Sequence, residues 1–146
     1  MTMNLIPGVE STGSALSAEK IRLEIIAQNI ANSNTTQDAS GKVYKRKEVA
    51  FEEFVKIPPR RVPGYVDENL CQGVKVVDVY DDQTPGRMIF NPGHPHANKD
   101  GMVEMPNVDV SREMIDLISA SRAYEANLSV VKTSRRMAQQ ALAIGR

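Results

Sequence analysis

The sequence predicts an α+β protein in which a long helix at each end of the chain pairs with the other as a coiled coil, with a small irregular β module inserted between them. Apolar residues recur at helical spacing in both terminal stretches. The middle of the chain instead holds seven of the eight prolines and six of the nine glycines. We therefore expect residues 1–36 and 108–146 to form two halves of one helical domain, and residues 37–107 to form a β-rich module.

The first helix is predicted from about Ser11 to Ser33. Its strongest apolar positions are seven residues apart, which is the coiled-coil repeat. Ser11 or Ser14 can cap its start. The asparagines of 29–34 can end it, because asparagine tolerates the left-handed conformation that closes many helices. The residues that we expect in its seam are Leu16, Leu23, Ile26, Ile30 and Asn32.

The middle of the chain contains short β-like runs separated by turn signals. Pro85-Gly86, Pro92-Gly93 and Asp100-Gly101 are such signals. Valine and aromatic residues are enriched between them, as is typical of strands. The predicted strands are Val43–Phe54, Gly73–Tyr80, Arg87–Phe90 and Met102–Met105.

The last helix is predicted from Ser111 to Ile144, a stretch without glycine or proline. Ser111 can cap it, and Glu113 in the first turn complements the helix dipole. At 1.5 Å per residue it would be about 50 Å long, which is more than a compact small domain covers. Its apolar stripe therefore requires another helix, from this chain or from neighbours. The residues that we expect at interfaces are Met114, Leu117, Tyr124, Asn127, Leu128, Val131 and Leu142.

Composition excludes several classes of function. The chain has 18 basic and 18 acidic residues, so it has no overall basic field for nucleic acid or an anionic membrane. Cys71 is the only cysteine, so no internal disulfide can form. The first residues lack the basic and apolar regions of a secretory signal, and no stretch is apolar enough for a membrane span.

No pattern in the sequence predicts a catalytic, cofactor or metal site. His94 and His96 are the only histidines, and two ligands around a proline fall short of the three or four that a metal site requires. We interpret Pro92, Gly93, His94 and Pro95 as an ordered loop in which prolines and glycine fix the backbone path. A metal-dependent enzyme that uses the two histidines is the competing hypothesis.

Several tracts resemble the axial proteins of the bacterial flagellar rod and hook. The stretch Ser14–Asn32 resembles the N-terminal signature of that family. Tyr44–Lys47, Asn91–Ala97 and Pro106–Val110 narrow the resemblance to its proximal rod proteins. Glu113–Asn127, which includes a Ser-Arg-Ala-Tyr-Glu-Ala-Asn run, is shared by the wider family. The resemblance covers nearly the whole chain.

The resemblance implies a structural subunit and not an enzyme, with no cofactor. Such subunits leave the cell through the flagellar export gate without a cleaved signal and stack helically around a central channel in the rod, which spans the periplasm. Expected partners are further copies of the chain, other rod proteins and the adaptor at the export gate and MS ring, with no nucleic acid or small-molecule substrate. The alternatives are another rod or hook axial protein and a soluble two-helix adaptor.

Overall fold

The computed structural model describes residues 7–38, 41–55 and 72–144. The α+β prediction is confirmed, with two long helices at the ends and strands between them. Cys71 lies outside the described residues. The elements in chain order are α1 (Pro7–Ala31), β1 (Lys47–Val55), β2 (Gln72–Asp81), β3 (Met88–Phe90), β4 (Met102–Glu104) and α2 (Val110–Ile144).

Helix α1 begins earlier than predicted, at Pro7. Proline is favoured at the first helical position, where its missing N–H has no helical partner to lose. The prediction that Ser11 or Ser14 caps the helix is wrong, because both residues lie inside it. The Ser14 hydroxyl instead donates to the Ser11 carbonyl (2.7 Å) and accepts from the Val74 N–H (3.1 Å). This serine therefore joins α1 to strand β2.

Helix α1 ends at Ala31 through side-chain capping. Asn32 donates from both its backbone N–H (3.0 Å) and its side-chain amide (2.9 Å) to the Gln28 carbonyl. Among the residues described, no residue other than glycine has a positive φ. The predicted left-handed closure by asparagine is therefore wrong, and the Asn32 side-chain amide instead gives the Gln28 carbonyl a second donor.

Helix α2 is capped by Asp109 and not, as predicted, by Ser111. The Asp109 carboxylate accepts from the Ser111 N–H at 3.0 Å, and its carbonyl accepts from the Glu113 N–H at 3.0 Å. An aspartate at this position also favours the positive end of the helix dipole. At 35 residues α2 is about 52 Å long, against about 37 Å for the 25 residues of α1.

All four predicted strands are present, and they form two antiparallel pairs. Strands β1 and β2 form a long ribbon, from Lys47 opposite Asp81 to Val55 opposite Gln72. Its register shifts between Ala50 and Phe51, as at a β-bulge. Strands β3 and β4 form a separate short hairpin.

Helix α1 packs against both α2 and the β1–β2 ribbon. The apolar core of the described residues is small. It consists of Ala18, Ile26, Val103, Val108 and Ala120. The two largest fully buried side chains are polar, Asn29 and Glu113. The described residues thus centre on a polar contact, and little apolar surface is buried among them.

Gly86 lies where the β2–β3 connection passes the segment that leads to α2. A Cβ at this position would be 1.8 Å from the Met105 carbonyl oxygen. The backbones must then separate, which strains the neighbouring bond from the Met105 N–H to the Arg87 carbonyl (2.8 Å). We expect Gly86→Ala to lower the free energy of unfolding by about 2 kcal/mol in denaturant titrations.

The matched control is Gly93→Ala, because the nearest atom to a Cβ there is Asn91 Oδ1 at 3.8 Å, an ordinary contact. This substitution should leave the free energy of unfolding nearly unchanged. Equal stabilities for the two alanine variants would contradict the close approach at Gly86.

Candidate functional site: the polar junction and the helix pair

Asn29 lies where α1, the start of β1 and α2 meet, and it is 1% exposed. Its side-chain amide donates to the Lys47 carbonyl (2.9 Å) and to Glu113 Oε2 (3.1 Å). Its Oδ1 accepts from the Lys47 N–H (2.9 Å) and the Tyr44 hydroxyl (2.9 Å). Two donors and two acceptor positions are all that an asparagine side chain offers, so Asn29 is fully satisfied.

Glu113 brings a carboxylate from the first turn of α2 into the same contact and is 0% exposed. Its Oε1 accepts from Arg46 Nε at 2.6 Å. The Arg46 guanidinium also pairs with Glu48 and approaches Asp116 Oδ2 at 3.9 Å. A buried carboxylate is tolerated only where a cation and hydrogen bonds replace water. We call Asn29, Tyr44, Arg46 and Glu113 the polar junction.

The pKa values of Arg46 and Tyr44 are both raised by their surroundings in the polar junction. Burial by itself lowers the pKa of Arg46, but hydrogen bonds and charge attraction from Glu113 and Glu48 outweigh it, so the pKa is raised. Burial raises the pKa of Tyr44, and the negative charges of Asp81 and Glu113 raise it further. Arg46 is therefore a cation, and the Tyr44 phenol keeps the proton that it donates to Asn29.

Asn107 joins the segment before α2 to the backbone beside the polar junction. Its Oδ1 accepts from the Arg46 N–H at 2.8 Å, and its amide donates to the Asp82 carbonyl at 3.3 Å. The Asp82 N–H in turn donates to the Arg46 carbonyl at 2.8 Å. The β1–β2 ribbon is thereby bonded to both helices. This arrangement suits a rigid joint between the helix pair and the β module.

The loop with the two histidines is held by its own backbone. The Asn91 N–H donates to the Gly101 carbonyl (2.8 Å), and the His94 N–H donates to the Asn91 carbonyl (3.1 Å). His94 Nδ1 accepts from the His96 N–H at 3.1 Å, and His96 Nδ1 lies 2.9 Å from the Thr36 hydroxyl. Both Nδ1 atoms therefore already have hydrogen-bond partners, and the loop is tied to the chain after α1.

Within residues 7–38, 41–55 and 72–144, no group of three or more histidine, cysteine, aspartate or glutamate residues is placed to hold a metal ion. The same ranges contain no helix whose length and apolar content would let it cross a membrane.

The residues predicted at helix interfaces differ in burial. Of those on α1, Ile26 is buried, while Leu16, Leu23 and Ile30 are half-buried, as is Asn32 directly after the helix. On α2, Met114 and Leu142 are exposed. The half-buried predicted residues of α2 are Leu117, Tyr124, Asn127, Leu128 and Val131. Their role in contacts between subunits stays a prediction.

Sequence reasoning missed the most buried positions of the helix pair. Ala18 and Ala120 are buried, as are Asn29 and Glu113, whose hydrogen bond joins α1 to α2. Small residues permit a short distance between helix axes. The alanines that recur among larger side chains in both helices could have indicated close packing of the two helices. An analysis of apolar periodicity gives alanine little weight. Nothing local marked Arg46 as the partner of a residue 67 positions away.

Both helices match known family models. The family described as flagella basal body rod protein matches residues 10–37. The family described as flagellar basal body rod FlgEFG protein, C-terminal, matches residues 99–144. These two ranges include most of α1 and all of α2.

Relatives named flagellar basal-body rod protein FlgC are similar to the chain from end to end. The protein of Borreliella burgdorferi is 38% identical over 97% of this chain and 98% of its own length. The protein of Yersinia enterocolitica is 39% identical over 98% and 99%. The protein of Bacillus subtilis is 34% identical over 99% and 100%.

The polar junction yields a stability prediction. Glu113→Gln removes the buried charge and leaves Arg46 without the most buried of its carboxylate partners. Because breaking a buried pair leaves an uncompensated charge, we expect the free energy of unfolding to fall by about 3 kcal/mol in urea titrations.

Asp116→Asn is the matched control, since Asp116 also faces Arg46 but at 3.9 Å and with a side chain 34% exposed. Asp116→Asn should lower the free energy of unfolding by at most about 1 kcal/mol, the usual range for solvent-accessible ion pairs. If the two amide variants are equally stable, Glu113 does not anchor the junction.

Proposed function

Because the chain belongs to the FlgC family of flagellar basal-body rod proteins, we propose that it polymerises helically in the proximal rod, part of the hollow drive shaft that transmits torque from motor to hook and filament. It is a structural subunit of the basal body and not an enzyme. The observation that carries the proposal is similarity over 97–99% of the chain to proteins of that name.

The fold supports polymerisation in physical terms. We propose that residues 1–36 and 108–146 form the assembly domain and that residues 37–107 form a module outside it. Helix α2 keeps large apolar side chains exposed along its length, among them Ile115, Met137 and Ile144. Such surfaces on a soluble chain mark contacts with other proteins. A shaft under torque also requires subunits that do not bend internally, and the polar junction provides a rigid connection between helices and module.

We further propose that copies of this chain contact each other, the other rod proteins, and the adaptor at the export gate and MS ring. The rod would cross the periplasm, and the subunit would reach it through the flagellar export gate without a cleaved signal. A rod or hook axial protein of another class remains the alternative. The similarity to FlgC proteins at both ends and in the middle of the chain favours the proximal rod.

Gene deletion and localisation of the protein test this proposal. A strain without it should neither swim nor build rods, and expression of the wild-type chain should restore both. A tagged wild-type chain should be recovered in purified basal bodies. Normal swimming after deletion, or a protein that remains entirely in the soluble fraction of swimming cells, would contradict a rod subunit.

A further inference from the structure

The loop between β3 and β4 is joined to the chain after α1 by two hydrogen bonds in series. Thr36 Oγ1 lies 2.9 Å from His96 Nδ1, and the His96 N–H donates to His94 Nδ1 at 3.1 Å. The two imidazole rings meet edge to face, with their centroids 5.2 Å apart. We call these two hydrogen bonds the histidine link.

The two bonds of the histidine link differ in the protonation state that they permit. A threonine hydroxyl both donates and accepts, so Thr36 can bond His96 whether or not a proton is on the Nδ1 of that ring. A backbone N–H only donates, so His94 accepts from His96 only while its own Nδ1 carries no proton. Protonation of His94 turns this nitrogen into a second donor and breaks the bond. His94 is therefore the member of the link that responds to pH.

The histidine link contains both histidines of the chain. Imidazole is the side chain that ordinarily changes its charge between pH 5 and 8. When both rings are protonated, two cations lie with centroids 5.2 Å apart and repel each other. Acid thus both removes an acceptor and adds a repulsion at the same place.

The other charged groups of this surface are three carboxylates and two lysines. They lie in the loop, on β4 and on the segment after α1, whereas β3 carries none. Glu104 of β4 lines the same cleft as His96. Carboxylates and lysines ordinarily titrate outside the range from pH 5 to 8, so the imidazoles are the groups of this surface that change charge within it. The five residues are Asp38, Lys42, Lys99, Asp100 and Glu104.

The histidine link bears on the position of the β3–β4 hairpin, because this hairpin has few other attachments. Among the described helices and strands, β3 and β4 pack on each other and on no further element. The three side chains of β3, Met88, Ile89 and Phe90, are all exposed. At its open end the hairpin continues into the segment that leads to α2, and at its loop the link holds it to the chain after α1.

We propose that the histidine link is a pH-sensitive connection that holds the β3–β4 hairpin to the chain after α1 while His94 is neutral and releases it when His94 takes up a proton. On protonation the backbone at His96 separates from His94, and Thr36 loses a partner of fixed position. The proposal goes beyond the proposed function and does not depend on it, since both states belong to a single chain.

Hydrogen exchange in the purified full-length chain tests the role of His94. We expect the protection factor of the His96 amide to fall by about tenfold or more between pH 8 and pH 5, because this amide loses its acceptor. Equal protection factors at the two pH values would overturn the inference.

Three variants separate the roles of the two rings. His94→Asn keeps an acceptor, because Oδ1 takes the position of Nδ1 and does not titrate, so the amide of residue 96 should stay protected at both pH values. His94→Ala removes the acceptor, and the same amide should be unprotected at both. His96→Asn leaves His94 in place and still offers Thr36 a partner, so protection should still be lost in acid. A transition that survives His94→Asn, or that disappears in His96→Asn, would overturn the role of His94.

Paired spin labels test the release of the hairpin. In a chain that carries Cys71→Ser, the labels are attached through Ala31→Cys at the end of α1 and Lys99→Cys in the loop, two exposed positions. We expect a narrow distribution of distances between the labels at pH 8 and a broader distribution at pH 5. Adding His94→Asn should keep the distribution narrow at both pH values. A narrow distribution at pH 5 with His94 present would overturn the release of the hairpin.

Discussion

The burial of Glu113 is the constraint on which the arrangement of the chain depends. A carboxylate with no exposed surface requires a cation and donors at fixed positions, and among the described residues Arg46 and Asn29 supply them. Asn29 lies on α1 and Glu113 on α2, 84 residues apart. Sliding one helix past the other by a turn would separate this charge from the Asn29 amide. The pair therefore fixes the register of the antiparallel helices, as a buried polar residue does in many coiled coils.

The same contact determines where the β module is attached. Arg46 contributes its side chain to the junction, and Lys47 is bonded to it through its backbone, since Asn29 bonds both polar groups of the Lys47 backbone. Strand β1 starts at Lys47, so the ribbon begins at the junction. The helix pair and the ribbon are thus held by polar bonds of fixed geometry more than by a large apolar core. A joint of this kind resists rotation of one part against the other, which a structural subunit under load requires.

Secondary structure could be predicted from the sequence because its signals are local. The two helical periods and the turn residues around the strands identified every element that the structure contains in its described ranges. The polar junction could not be predicted, because each member had a sufficient local explanation. Asn29 fitted a helix end, and Glu113 fitted the first turn of a helix. Their hydrogen-bonding partners are distant in sequence, and apolar periodicity does not indicate which distant residues pair. The predicted caps were wrong for a different reason, since Asp109, Ser111 and Ser14 are all competent cap residues and apolar periodicity does not locate a helix start to within one or two residues.

The small and the large apolar residues of the two helices differ in burial. Ala18 and Ala120 are buried, whereas bulky side chains such as Leu117, Tyr124 and Leu128 stay half-exposed. Apolar periodicity gives most weight to these bulky residues, and it therefore predicts the stripe that flanks the seam. In an isolated monomer with only these two helices, this placement leaves much apolar surface exposed to water. The small residues thus serve the packing of the helix pair, whereas the large ones stay half-exposed beside it.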